Sequence, residues 1–317
     1  MAASESAFDE ADLPMGEDVL TASLVGQALI AKTGASNARD AIELLVRAAL
    51  DDAEISKAPI DLRKVASYQG VRNIVLKEMA EAGRLVPLGS GRFEIHIRAK
   101  DPVERRNFTI GHEIGHLLLP GYREAPIEVM ETRAEITLSN PSDAVEELCD
   151  IAAAALLMPM HLFGPAAAEL GCHLSAVRAL CRHFRSSWPA TMRRMVETNL
   201  WRCALTVWNL IGGVPHLSWS FASDSFPFGL TENLTSRIDG GIGQLFTAQR
   251  SNTNVETLEV DGKQYTFAVY ARRSARYGGG SSASTVTALL LPYPPSGRWP
   301  AGRVSWPTAP WGRFEDD

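Results

Sequence analysis

His112-Glu113-Ile114-Gly115-His116 sets two imidazoles and a carboxylate at a spacing that suits one kind of chemistry. Residues four apart on an α-helix lie above one another, so His112 and His116 can offer both rings to a single ion. Glu113 then stands beside that ion without ligating it, placed to take a proton as a water attacks a peptide carbonyl. Two histidines are too few, because a catalytic zinc normally takes three protein ligands and keeps one position open. The third candidate lies in residues 140–159, a second helix capped by Asn140 or Ser142 and stopped by Pro159. Glu146 and Asp150 are one turn apart and share a face. Glu146 is therefore the expected third ligand, and Asp150 the acceptor that fixes the tautomer of a ligating histidine. Glu147 sits about 100° further round, shares no face with Asp150 and ranks behind.

These groups need rigid carriers. Asp101 as N-cap, Pro102 at the first helical position and Glu104 at the third open the first helix, and Phe108, Ile110, Ile114, Leu117 and Leu118 give it an apolar face. Residues 84–88 and 92–98, joined by Gly89-Ser90-Gly91, read as a hairpin in which Phe93, Ile95 and Ile97 alternate with Glu94, His96 and Arg98. Placed at a sheet edge just before the zinc helix, the strand holding Phe93, Glu94, Ile95 and His96 would pair with an extended peptide substrate. His96 reads as an exposed strand histidine rather than a further ligand. Upstream, 71–76 starts a strand, 61–71 a short helix ended by Gly70, and 18–32 and 37–52 are amphipathic helices.

The residues carry a family resemblance as well. Arg106-x-Phe108-Thr109-x-x-His112-Glu113-x-Gly115-His116, followed by Glu146-x-x-Cys149-Asp150-x-x-Ala153-Ala154-x-Leu156-Leu157-Met158-Pro159, resembles the ImmA/IrrE zinc metallopeptidases. Phe184-x-Ser186-Ser187-x-x-Ala190-x-x-x-Arg194-Met195 extends the likeness. Gly111, Cys149-Asp150 and Ala152 depart from the family's alanine, Ala-Asn and phenylalanine without removing a chemical group. The resemblance implies a thermolysin-like zinc fold and endopeptidase action on a transcriptional repressor, commonly of helix-turn-helix type.

Composition bounds the remainder. With 317 residues, 45% hydrophobic and 21% charged, the chain is long enough for two or three cores. No apolar run reaches the length of a membrane span, and the acidic stretch 1–17 reads as a disordered tail rather than a signal peptide. Cys149, Cys172, Cys181 and Cys203 form no C-x-x-C pair and sit in apolar periodic stretches, which suits reduced thiols and a cytoplasmic location. A second metal site from Cys172, His173, Cys181 and His183 matches no zinc spacing and is not favoured.

After Pro159, residues 162–170, 174–184 and a third stretch capped by Ser187 read as short helices of helix-turn-helix character. Arg178, Arg182, Arg185, Arg193, Arg194 and Arg202 raise DNA contact, but a net charge of −6 favours a packing role for these helices. From Trp201 the period becomes two, with strands at 204–210, 217–221, 255–260, 264–270 and 285–291; Asp261-Gly262 closes a hairpin. Part of the ImmA/IrrE family carries a GAF-type sensor domain in this place. The segment from 292, rich in Pro, Trp, Gly and Arg, is expected to pack on the sheet.

The resulting expectation is an α+β protein: an acidic tail (1–17), a zincin-like peptidase domain with a small mixed sheet (18–160), a helix-turn-helix-like segment (161–200) and an antiparallel β-rich domain (201–317). It holds one zinc per chain on His112, His116 and Glu146, uses Glu113 as general base and Asp150 to orient a ligand, and takes its proton donor or oxyanion partner from Tyr122 or His161. The alternative is a DNA-binding, sensor or toxin-neutralising regulator with a non-catalytic metal site.

Overall fold

The alternating stretch ahead of the H-E-x-x-H helix does fold into a strand, but at a different place in its sheet. In the computed structural model, which describes residues 17–122, 143–231, 234–247, 251–274 and 285–293, strands β1 (Val71–Lys77), β2 (Gly83–Gly89) and β3 (Arg92–Arg98) form a three-stranded sheet ordered β1-β3-β2. β3 runs parallel to β1 and antiparallel to β2, so both of its backbone edges are used. The expectation that Phe93, Glu94, Ile95 and His96 line a free edge is corrected accordingly. Phe93, Ile95 and Ile97 are buried, and a strand with so apolar a face takes the centre. His96 turns to Glu94, 2.7 Å away on its own strand. The free edge beside the histidine helix belongs to β2.

That helix, α5 (Val103–Leu118), begins one residue later than its capping pattern implies. Pro102 occupies the cap and no side chain bonds the first turn, because Asp101 is drawn 2.8 Å from the Arg98 guanidinium instead. Helices α1 (Glu17–Ala22), α2 (Leu24–Thr33), α3 (Ala38–Asp52) and α4 (Leu62–Tyr68) precede it, with Ser23, Asn37 and Asp61 as side-chain caps.

The contact that matters most is between α5 and α6 (Asp143–Leu157). Gly111 and Gly115, one turn apart, face Ala153, Cys149 and Ala152. A methyl at Gly111 would lie 3.0 Å from the Ala153 Cα, and one at Gly115 would lie 3.1 Å from the Cys149 Cα. Small residues on both sides let the backbones approach until side chains on the two helices share one site. The small residues at Gly111, Cys149 and Ala152, which depart from the family pattern, all belong to this seam.

α7 (Met160–Leu170), α8 (Leu174–Phe184) and α9 (Trp188–Glu197) follow, with Ser187 capping α9 as expected. They are braced by charge. Arg194 is only 2% exposed and meets Glu43 at 2.5 Å, Glu197 at 2.9 Å and the Met158 carbonyl at 2.9 Å. Arg193 reaches Glu197 and Glu147 and lies over the Phe221 ring, while Arg39 also holds Glu197. Two of the six arginines in this region thus serve packing; Arg178, Arg182, Arg185 and Arg202 are exposed.

β4 (Ala204–Ile211), β5 (Val214–Ala222), β6 (Ser251–Val260), β7 (Lys263–Ser274) and β8 (Thr285–Pro292) make an antiparallel sheet ordered β5-β4-β8-β7-β6. Asp261 and Gly262 both take positive φ at the β6–β7 turn, the conformation a two-residue hairpin of this twist requires. Leu205, Tyr270, Leu289 and Leu291 face the helical core, while Trp208, Phe267, Val269 and Leu290 join a second core with Phe226, Leu234 and the short α10 (Gln244–Thr247). The four cysteines are free and buried. Among the described residues no single helix is long and apolar enough to cross a membrane. Residues 1–16, the caps proposed at Asn140 and Ser142, and the tryptophan-rich stretch from 294 lie outside the described residues.

Candidate metal centre

The α5–α6 seam puts the two predicted histidines and both predicted carboxylates into one cleft. His112 is held at both nitrogens: Nδ1 is 2.7 Å from Asp150 Oδ1 and Nε2 is 3.1 Å from Glu146 Oε2. His116 directs Nε2 to Glu146 Oε1 at 3.8 Å and sets Nδ1 against the Cys149 sulfur at 3.3 Å. The two ring planes meet edge to face with centroids 5.0 Å apart. Both Nε2 atoms thus converge on the Glu146 carboxylate, and Glu146 Oε1 is buried with no hydrogen-bond partner.

Ligand atoms of His112, His116 and Cys149 lie within 4.8 Å of one another, a cluster that could hold a metal ion. Cys149 was not anticipated as a neighbour of the histidines, although its place three residues after Glu146 on the same helix was available as a signal. Burial pushes its thiol well above the ordinary range, and the carboxylates of Glu146 and Asp150 push the same way. Glu147 points elsewhere, to Arg193.

The electrostatics call for a cation. Burial alone would lower the His112 pKa, but its hydrogen bonds to Asp150 and Glu146 prevail and carry it up to about 10. His116, buried and facing that charged ring, is pushed down to about 4. A proton on His112 therefore occupies the role of a positive charge between carboxylates. Burial also lifts Glu113 to about 7, against the opposing pull of His112 and a hydrogen bond from the Leu85 N–H. Gly83 makes that contact possible, since a methyl there would meet the Thr109 side chain and lie 2.7 Å from Glu113 Oε1.

The surrounding cleft, of about 360 Å³, is bounded by β2 (Gly83, Arg84, Leu85), by α5 (Arg105, Phe108, Thr109) and by Tyr122. The Tyr122 ring lies 5.4 Å from that of His116. His161 is exposed, does not line the cleft and feels Arg47, Asp51 and Glu43 of α3 instead. Arg84 and Arg105 were not singled out from sequence, though Arg105 stands two turns before His112 on the same face.

Residues 66–195 match the family model of the IrrE N-terminal-like domain, Peptidase_M78. That stretch is similar to an IrrE N-terminal-like domain. Its limits enclose β1–β3, every lining residue of the cleft, and α5 to most of α9, whereas the five-stranded sheet lies beyond the match. No curated protein matches the chain. A Mycobacterium tuberculosis transcriptional regulator of known structure has a similar fold, with 11% identity and a TM-score of 0.56 over 88% of this chain and 82% of that one. At that identity the likeness shows the fold alone.

Proposed function

We propose that the M78 domain is a zinc-dependent endopeptidase acting on a regulatory protein, in the ImmA/IrrE manner on a helix-turn-helix repressor of stress, mobile-element or developmental genes. One observation carries this: two imidazole Nε2 atoms converge on the Glu146 carboxylate, one on each oxygen, with Oε1 buried and without a hydrogen bond, beside the buried carboxyl of Glu113.

The residues suit zinc. His112 and His116 would bind through Nε2 and Glu146 through its carboxylate, the two-histidine, one-carboxylate set of a catalytic site. Asp150 would accept the Nδ1–H of His112, and the Cys149 sulfur the Nδ1–H of His116, so that both rings present a lone pair to the ion. Cys149 ranks behind Glu146 as third ligand, since its sulfur faces the wrong nitrogen of His116 and burial keeps the thiol protonated. Zinc supplies a Lewis acid for the scissile carbonyl and lowers the pKa of water toward 7. Glu113 takes the proton of the attacking water and returns it to the leaving amine. Burial raises the Glu113 carboxyl above the ordinary carboxylate range, the direction that suits a general base working near neutral pH. Tyr122, on the wall beside His116, is the better placed of the two candidates for the developing oxyanion. In this scheme residues 18–160 carry the chemistry, 161–200 brace it, and 201–317 form a β-rich part that receives a signal or partner.

A second reading, a DNA-binding regulator with a non-catalytic metal site, draws on the exposed arginines Arg178, Arg182 and Arg185 of α8 and its C-terminal turn. Incubating the zinc-loaded chain with candidate helix-turn-helix repressors separates the two. The peptidase reading expects a discrete cut that a chelator stops and added zinc restores. An intact repressor together with a sequence-specific DNA complex stable at about 200 mM salt favours the regulator.

A further inference from the structure

Resting on the peptidase reading, we infer that Arg105 makes the cleft selective for substrates with an acidic side chain two or three residues from the hydrolysed bond. The placement follows from helix geometry. At 100° per residue, Arg105 projects within about 20° of both His112, seven residues on, and His116, eleven residues on. Its Cα stands about 10 Å up the axis from that of His112, toward the N-terminus of α5. An extended peptide advances about 3.3 Å per residue, so that distance spans about three residues, and the length of the arginine side chain brings the second within reach.

The charge balance of the cleft points the same way. Of its acidic lining, Glu146 and Asp150 are engaged by His112, and Glu113 is buried and hydrogen-bonded by Leu85. On the opposite wall Arg84 is held by Glu81 at 3.2 Å. Arg105 lines the same cleft, is exposed, and has no ion-pair or hydrogen-bond partner for its guanidinium among the described residues. One end of the cleft is therefore acidic and cation-seeking, while the other carries an unneutralised cation. A carboxylate meeting a guanidinium there gains a charge-assisted, planar pairing that an amide of the same shape lacks.

The test uses the full zinc-loaded chain and a set of fluorescein-labelled, otherwise uncharged twelve-residue peptides with one Glu moved along the sequence, each paired with its Gln counterpart. Binding to the Glu113→Gln protein is read by anisotropy, and kcat/KM is read on the unaltered protein. The expected result is one Glu position favoured about tenfold over Gln in both assays, with the preference shrinking as salt rises. In Arg105→Glu the preference passes to a Lys peptide, with an unchanged thermal melt. Cleavage or binding that ignores the Glu-to-Gln exchange at every position, in both proteins, overturns the inference while leaving the peptidase reading intact. Absence of cleavage with the acidic preference still present in anisotropy supports Arg105 and sinks the peptidase reading.

Discussion

Two clusters of ionisable groups lie partly or wholly inside this protein, and their balance differs. Between α3, α6 and α9, Arg39, Arg193 and Arg194 face Glu43, Glu147 and Glu197, three cations against three anions, with pair distances from 2.5 to 3.4 Å. In the α5–α6 cleft, Glu113, Glu146 and Asp150 face two imidazoles that carry no charge of their own unless protonated. The first cluster is complete and can only hold helices together. The second lacks positive charge, draws a proton onto His112 and leaves a Glu146 oxygen without a partner. Imbalance of this kind marks a binding site, because folding alone would not retain three crowded carboxylates.

The largest expected effect comes from removing a group that the cation needs. Glu146→Ala should reduce bound zinc from about one per chain to near none, as measured by atomic emission after dialysis, whereas Cys149→Ser should keep it. Zinc lost from Cys149→Ser and kept by Glu146→Ala would transfer the third ligand to the sulfur.

The balanced cluster should respond in stability rather than in metal. Arg194→Met strands Glu43 and removes one of the three cations on Glu197, and should cost about 3 kcal/mol in a denaturant titration with zinc saturating. Burial would raise the Glu197 pKa, but Arg194, Arg39 and Arg193 overcome it and hold it below the ordinary value. A depressed carboxyl contributes stability that is present above its unfolded pKa and lost as pH falls through its folded value. The acid limb of the stability curve should therefore be shallower in Glu197→Gln. An acid limb of unchanged slope would remove Glu197 from the account.

Asp150→Asn is the gentler break. It keeps the shape beside His112 while removing a charge, and should weaken zinc binding about 10- to 100-fold in a competition titration. No change would reduce Asp150 to a solvated surface carboxylate.

The two regions were not equally legible in the sequence. H-E-x-x-H and the Glu146/Asp150 face could be read because helical period converts spacing directly into geometry, and capping chemistry reached Ser187. Capping chemistry failed at Asp101, where a local competitor, Arg98 three residues earlier, captured the carboxylate. Alternation in β3 revealed a buried face but not which strands would flank it, since pairing order depends on residues distant in the chain. The burial of Arg194 was hidden for a similar reason: a charged residue reads as surface until Glu43, some 150 positions away, is brought beside it. The arginine-rich segment consequently looked more available to DNA than its structure makes it. The glycine pair Gly111 and Gly115 was visible, but its purpose appeared only with Ala152 and Ala153 opposite.

The most direct test of the unbalanced cluster as a catalytic site is the Glu113→Gln protein, measured for zinc content, thermal melt and cleavage of a repressor that the unaltered chain cuts. The amide keeps the shape of the carboxylate and cannot serve as a base. Zinc near one per chain and an unchanged melt, with cleavage slowed by roughly two to four orders of magnitude, is the predicted result. Undiminished cleavage by the folded, zinc-loaded variant would contradict the assignment of Glu113 and with it the proposed mechanism.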